Sequence, residues 1–257
     1  MRRAAEPSDR PNGWNPVPDP SDHFSTGIPD LDRLLSGGYR RGSFALVTLD
    51  PTVDAADALP LVRPTILNFL HQSRGMIAVL PLRSTPRGFR DGLLPWVTRR
   101  VFDSRVRIVD YANEADEAPY VVPISTRRKG PDVEKRARED MRQMQLAEKA
   151  AQGRRRRPFL ELNAFETLEA VVGPETAARM LFFGMKRVRA VGNLGVGLMR
   201  SDLGVAPTAR GLADYEMHLS RSDAGLKLTG IRPAFPPHRL IDDATLGAPY
   251  AALGRAE

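Results

Sequence analysis

A continuous apolar run, Phe44-Ala45-Leu46-Val47-Thr48-Leu49, limits this chain more than any other feature. A half-exposed strand alternates apolar and polar residues. A run this unbroken marks a strand covered on both faces, the signature of a parallel sheet with helices on either side. The residues before it agree. Thr26-Gly27-Ile28-Pro29 turns the chain, and Leu31, Leu34 and Leu35 then share one helical face. Gly37-Gly38 ends that helix, because glycine accepts the left-handed backbone a helix terminus needs.

Further strands are expected at residues 76–80, 105–110, 158–162 and 191–199. Between them helices are expected from Pro64 through the stripe Ile66, Leu67, Phe69 and Leu70, over 87–100, over 130–153 and around 174–189. Residues 214–219 and 226–231 read as a hairpin across Ser222-Asp223-Ala224-Gly225. Strands alternating with helices imply an α/β fold with right-handed crossovers. The Pro-, Asp- and Ser-rich residues 1–22 read as a loosely attached tail, 23–232 as the domain, and 233–257 as a Pro/Ala-rich C-terminal tail.

Composition narrows the function classes. With no cysteine, disulfides and Cys-based zinc sites are excluded, and a reducing cytoplasm is the expected setting. No stretch approaches the ~18–20 consecutive apolar residues of a membrane helix, and the N-terminus lacks an apolar signal region. The net charge of +7 is local: residues 124–157 hold twelve cations against five anions, and the remaining residues balance. Arg127, Arg128, Lys129 and Arg154 to Arg157 bracket the 130–153 helix and are candidate nucleic-acid contacts. A solvated charged face is the plainer alternative. His23, His71, His218 and His238 show no ligand-like spacing. Gly192, Gly195 and Gly197 do not match a dinucleotide-binding pattern and read as close backbone approach, with a neighbouring subunit as one candidate.

The segment STGIPDLDRLLSGGYRRGSFALV resembles the start of the RecA/RadA/KaiC group of P-loop ATPases, which includes regulators of the GvpD type. The group typically reads S-T-G-x-x-x-L-D-x-x-L-G-G-G-x-x-x-G, a strand, then G-x-x-G-x-G-K-T. The resemblance implies a RecA-like core: a mostly parallel sheet flanked by helices and ending in an antiparallel hairpin. After the strand the chain departs from the group. The loop glycines fall on Leu49, Thr52 and Asp54, the lysine on Ala55 and the threonine on Ala56, while Asp50 lies inside the loop.

A P-loop works because glycines let N–H groups curl round phosphates, lysine neutralises charge, and Ser/Thr holds Mg²⁺. Here Asp54 would face a polyanion, and a like-charge contact at ~4 Å costs about 4 kcal/mol at a surface-like dielectric. That is roughly three decades in affinity. Pro60 and Pro64 are expected to interrupt the following helix. The group's catalytic glutamate is replaced by Arg83 or Ser84, and its Walker B aspartate by Asn163, with Glu161 on the same strand face as a possible substitute.

The resemblance therefore implies an inactive relative that needs no ATP or Mg²⁺. Its expected role is a binding or regulatory scaffold for a protein partner, either an active RecA-like ATPase or a second copy. The Met141/Met144 stripe of the 130–153 helix could serve as such a surface or could pack on the sheet. A nucleic-acid-binding mediator is the alternative, drawing on the same cations and on Arg200 and Arg210 in a loop placed as the group's DNA loops are. An ATPase with a rebuilt nucleotide site is the second alternative.

Overall fold

The computed structural model describes residues 15–111, 118–124, 133–153, 157–243 and 250–255. A two-stranded ribbon opens the domain, with β1 (His23–Phe24) antiparallel to β2 (Tyr39–Arg40) around α1 (Pro29–Leu34). Asp32 holds this turn together: its carboxylate accepts hydrogen bonds from the Ser25 hydroxyl and from both the amide and the hydroxyl of Thr26. Gly38 has φ +100°, and a Cβ there would fall 2.4 Å from the Phe24 carbonyl oxygen. The most recognisable motif in the sequence is thus a structural latch.

The main sheet has ten strands. Its parallel part is built from β3 (Phe44–Leu49), β4 (Met76–Val79), β5 (Val106–Asp110), β6 (Val121–Pro123), β7 (Leu160–Ala164) and β8 (Leu194–Arg200). The last four strands, β9 (Tyr215–Ser222), β10 (Gly225–Arg232), β11 (Ala234–Asp243) and β12 (Tyr250–Arg255), complete it. Across the sheet the order is β12-β11-β10-β9-β3-β8-β7-β4-β5-β6, and β3 is central, with β8 and β9 parallel on its two sides. All six residues of β3 are buried.

Residues 233–257 are not a tail where they are described: β11 and β12 extend the sheet as an antiparallel meander. Their alternating polar positions suit an edge with one covered face, which hides the strand signal among prolines. The expected hairpin is β9–β10. The connection from β8 to β9 carries a further helix, α8 (Ala206–Leu212), absent from the sequence reading.

Helices cover both faces. On one lie α1, α2 (Leu59–His71), α3 (Pro86–Asp91) and α4 (Arg99–Arg105), with Leu31, Leu67, Phe89 and Phe102 in one core. The single helix expected over 87–100 is therefore two short ones, each capped by a threonine, Thr85 and Thr98. The other face is covered by α5 (Val133–Gln152), α6 (Phe165–Val172), α7 (Pro174–Val191) and α8, around Phe44, Phe159, Phe165 and Met185. On α5, Met144 packs against this core and Ala147 is buried in it, so that part of the stripe faces the sheet. Val133, Ala137 and Met141 are positions of which the side chains lie outside the described residues.

The prolines do not break α2. Pro60 occupies its first turn, where an amide is not needed, and Pro64 sits inside a helix buried on nearly every side. Packing of Leu61, Ile66, Leu67, Phe69 and Leu70 carries the helix through the missing hydrogen bond. The Gly195 and Gly197 approach is internal and not to another subunit. A Cβ on Gly197 would lie 2.5 Å from Phe165 and 3.0 Å from Phe44.

Candidate functional site

In a RecA-type core, phosphates sit between the end of the first central strand and the start of the next helix. Here that place is the turn from Asp50 to Ala58. Asp50 follows β3 and donates its amide to the Leu219 carbonyl on β9. Its side-chain oxygen accepts from the Thr52 amide at 3.0 Å and the Thr52 hydroxyl at 2.7 Å, and its carbonyl accepts from the Val53 amide. Asp54 caps the 3₁₀ turn Ala55–Ala58 by accepting from the Ala56 amide at 3.0 Å, and its carbonyl takes the Asp57 amide. The Asp57 carboxylate reaches back to the Asp54 amide at 3.1 Å.

Every amide from Thr52 to Asp57, apart from Ala55, thus already has an acceptor supplied by Asp50, Asp54 or Asp57. These are the donors that a phosphate would use in a P-loop. Three carboxylates take the place of the anion. The two hydrogen bonds from Thr52 hold the Asp50 carboxyl below the usual carboxylate range. Val53 and Ala55 are buried under α2, so the position of the P-loop lysine points into the core.

Two cations reach this turn from outside it. Arg83, at the position of the group's catalytic carboxylate, lies 3.6 Å from Asp54, and Arg221 on β9 lies 2.6 Å from Asp57. Both pairs are solvent-exposed and contribute little energy. Their effect is on charge: cations available to a triphosphate are shared with carboxylates. Ser84 is half-buried beside Arg83, and its amide bonds the Pro81 carbonyl. The glycines and the lysine of a P-loop are absent from this turn, and Asp50, Asp54 and Asp57 stand in it.

Asn163 and Glu161 lie elsewhere than the motif comparison implies. By strand parity both face the α5–α7 side, whereas the 50–58 turn packs on the α2 side. They line a cavity of about 100 Å³ with Val79, Val109, Met144 and Met185. Glu161 is the buried member of this pair. It is 7% exposed, and Arg187 at 3.6 Å and the Asn193 amide at 3.5 Å both address one oxygen, Oε1. Burial pushes its carboxyl up to about 7, against the pull of Arg187. Arg187 also pairs with Glu148, tying α7 to α5. Among the described residues, no three His, Asp or Glu side chains are placed to hold a metal ion.

Arg157, Arg200 and Arg210 are each engaged within the fold: with the Gln72 carbonyl at 2.7 Å, Asp202 at 2.6 Å and Glu216 at 3.3 Å. Arg127, Arg128, Lys129, Arg154, Arg155 and Arg156 lie outside the described residues. Each histidine has a local partner: Asp22 for His23, the Trp96 carbonyl for His71, Thr48 for His218 and the Pro236 carbonyl for His238. Sequence reading missed Asp57 and Arg221. Asp57 stands three residues after Asp54, the spacing of a reciprocal cap, so its role was in principle visible. Arg221 lies 164 residues from Asp57 in sequence, is brought to it by the pairing of β9 with β3, and was not.

Residues 13–125 match the family described as GvpD basic region 2. Protein GvpD1 of Halobacterium salinarum is 39% identical over 115 residues, which are 44% of this chain and 22% of that protein. Protein GvpD2 of the same organism is 34% identical over 97 residues, 38% of this chain and 20% of that protein. The chain thus spans about a fifth of the length of the curated relatives it matches. A crystal structure of a KaiC-like protein from Pyrococcus horikoshii superimposes with a TM-score of 0.62 at 12% identity, covering 90% of this chain and 98% of that one. No helix among the described residues is long and apolar enough to cross a membrane. Over the matched stretch the chain is thus similar to the GvpD proteins, and its fold is that of the KaiC-like structure, a RecA-type core.

Proposed function

We propose that the chain is a catalytically silent RecA-like scaffold that acts in regulation by binding another protein. The observation that carries this reading is the closed turn at residues 50–57. Apart from that of Ala55, its amides from Thr52 to Asp57 are taken by the carboxylates and carbonyls of Asp50, Asp54 and Asp57, and Ala55 offers no cation. A triphosphate entering here would have to break those hydrogen bonds and then lie against three carboxylates, with no P-loop lysine and with Arg83 and Arg221 already shared with Asp54 and Asp57. Arg83 supplies a positive charge where hydrolysis needs a carboxylate to polarise water. Asn163 faces the opposite side of the sheet. The three described arginines that are candidate nucleic-acid contacts each pair within the chain, with the Gln72 carbonyl, Asp202 and Glu216, and so lend that alternative no specific support.

The test is a rebuilt loop. Asp54→Gly combined with Ala55→Lys and Ala56→Thr restores three P-loop residue types. It should give no Mg-ATP turnover above background in a phosphate-release assay, because the water-activating acid is still missing. Measurable turnover in the triple variant would contradict the reading.

A further inference from the structure

Helix α7 buries Ala177, Leu181, Met185 and Val188 against the sheet. Arg179, Phe182, Phe183 and Lys186 follow at i, i+3, i+4 and i+7, so they share the outer face. A helix that only had to meet water would carry polar residues there. Instead Phe183 is 65% exposed and Phe182 41%, with Met180 at their side. The two rings pack edge to face, 5.6 Å apart, and the Lys186 ammonium lies 4.7 Å from the Phe182 centroid. The helix holds one carboxylate, Glu175 in its first turn, against Arg179, Lys186, Arg187 and Arg189. Among the described residues neither Arg179 nor Lys186 forms an ion pair.

We propose that this outer face of α7 docks an acidic amphipathic helix of a partner protein, whose apolar side chains cover Phe182 and Phe183 while its carboxylates meet Arg179 and Lys186. The inference rests on the scaffold reading above and supplies its surface. Charge selects the occupant. A second copy meeting face to face would set Arg179 and Lys186 against their own kind. Within the chain, residues 127–129 and 154–156 are cationic, and residues 112–117 are acidic without an apolar anchor. A nucleic-acid strand needs flat, open ring faces for base stacking. Here the rings stand at 77° to each other and Lys186 covers one of them. A helix laid across two turns, with apolar anchors three or four residues apart, matches the spacing of the two phenylalanines.

The experiment selects from a displayed library of random peptides of about 16 residues, using the intact protein and the variant Phe182→Ser/Phe183→Ser. Enriched peptides are then measured by fluorescence anisotropy against the same pair and against Arg179→Glu/Lys186→Glu. All four positions are exposed, so circular dichroism should show both variants folded like the parent. The expected peptides are acidic, with Leu or Phe at helical spacing. Their affinity should fall about tenfold or more in either variant, and should weaken as salt rises from roughly 50 to 500 mM. Failure to enrich, enrichment of neutral or basic peptides, or affinity indifferent to both variants would overturn the proposal. So would tighter binding of phosphatidylserine vesicles or oligothymidylate to the intact protein than of any selected peptide, lost in the same variants. The closed turn lies on the other side of the sheet, so nucleotide binding measured alongside separates failure of this surface from failure of the scaffold reading.

Discussion

Replacing Glu161 by glutamine isolates a strongly perturbed carboxyl in the core. In the folded chain its pKa is raised from 4.5 to about 7, chiefly by burial, with Arg187 pulling it down and Glu148 pushing it up. The folded state therefore holds this proton over a range where the unfolded state has released it. Stability falls as pH rises through that window, from near the unfolded value to the folded one, and is flat above it. Between pH 5 and pH 8 the linkage amounts to about 2.5 kcal/mol. Glutamine does not titrate, so Glu161→Gln should lose this slope. Urea unfolding of both proteins at pH 5 and pH 8 gives the difference directly. The stability change on mutation should become more favourable by about 2.5 kcal/mol at the higher pH. Groups remote from Glu161 cancel in the comparison. Parallel pH profiles would refute the reasoning, since they would mean the carboxylate stays ionised beside Arg187 throughout.

Asp32→Ala removes the acceptor that Ser25 and Thr26 share and leaves buried donors unmet, so it should cost about 2–4 kcal/mol in urea unfolding. Gly197→Ala drives a methyl group into Phe165 and Phe44 and should cost about 1–3 kcal/mol by the same assay. Asp54→Ala removes the cap on Ala56 and should cost about 1 kcal/mol without conferring nucleotide affinity, measured by unfolding and by calorimetry.

The front of the fold was legible because its signals are local. Gly38 must be glycine for its backbone angle and for the Phe24 carbonyl beside it, and β3 must be apolar because both its faces are covered. The hairpin β9–β10 announced itself by period and turn. What escaped depends on distant pairing. β11 contains Pro236 and Pro237 and reads as a tail until β10 and β12 are placed beside it. Pro60 at the start of α2 and Pro64 inside it gave a false break, because the helix's burial on nearly every side is invisible to local propensity. At the site, Asp54, Ala55 and Arg83 were placed by the resemblance to the RecA/KaiC pattern. The mutual closure of Asp50, Asp54 and Asp57 required the turn's coordinates. Asn163 and Glu161 were placed on one strand face correctly, but parity could not say that this face looks toward α5 and α7.

Titrating the unaltered protein with Mg-ATP in a calorimeter asks the central question most directly. The account predicts no saturable heat up to about 1 mM nucleotide. A micromolar dissociation constant, abolished by substituting residues at the 50–57 turn, would contradict it.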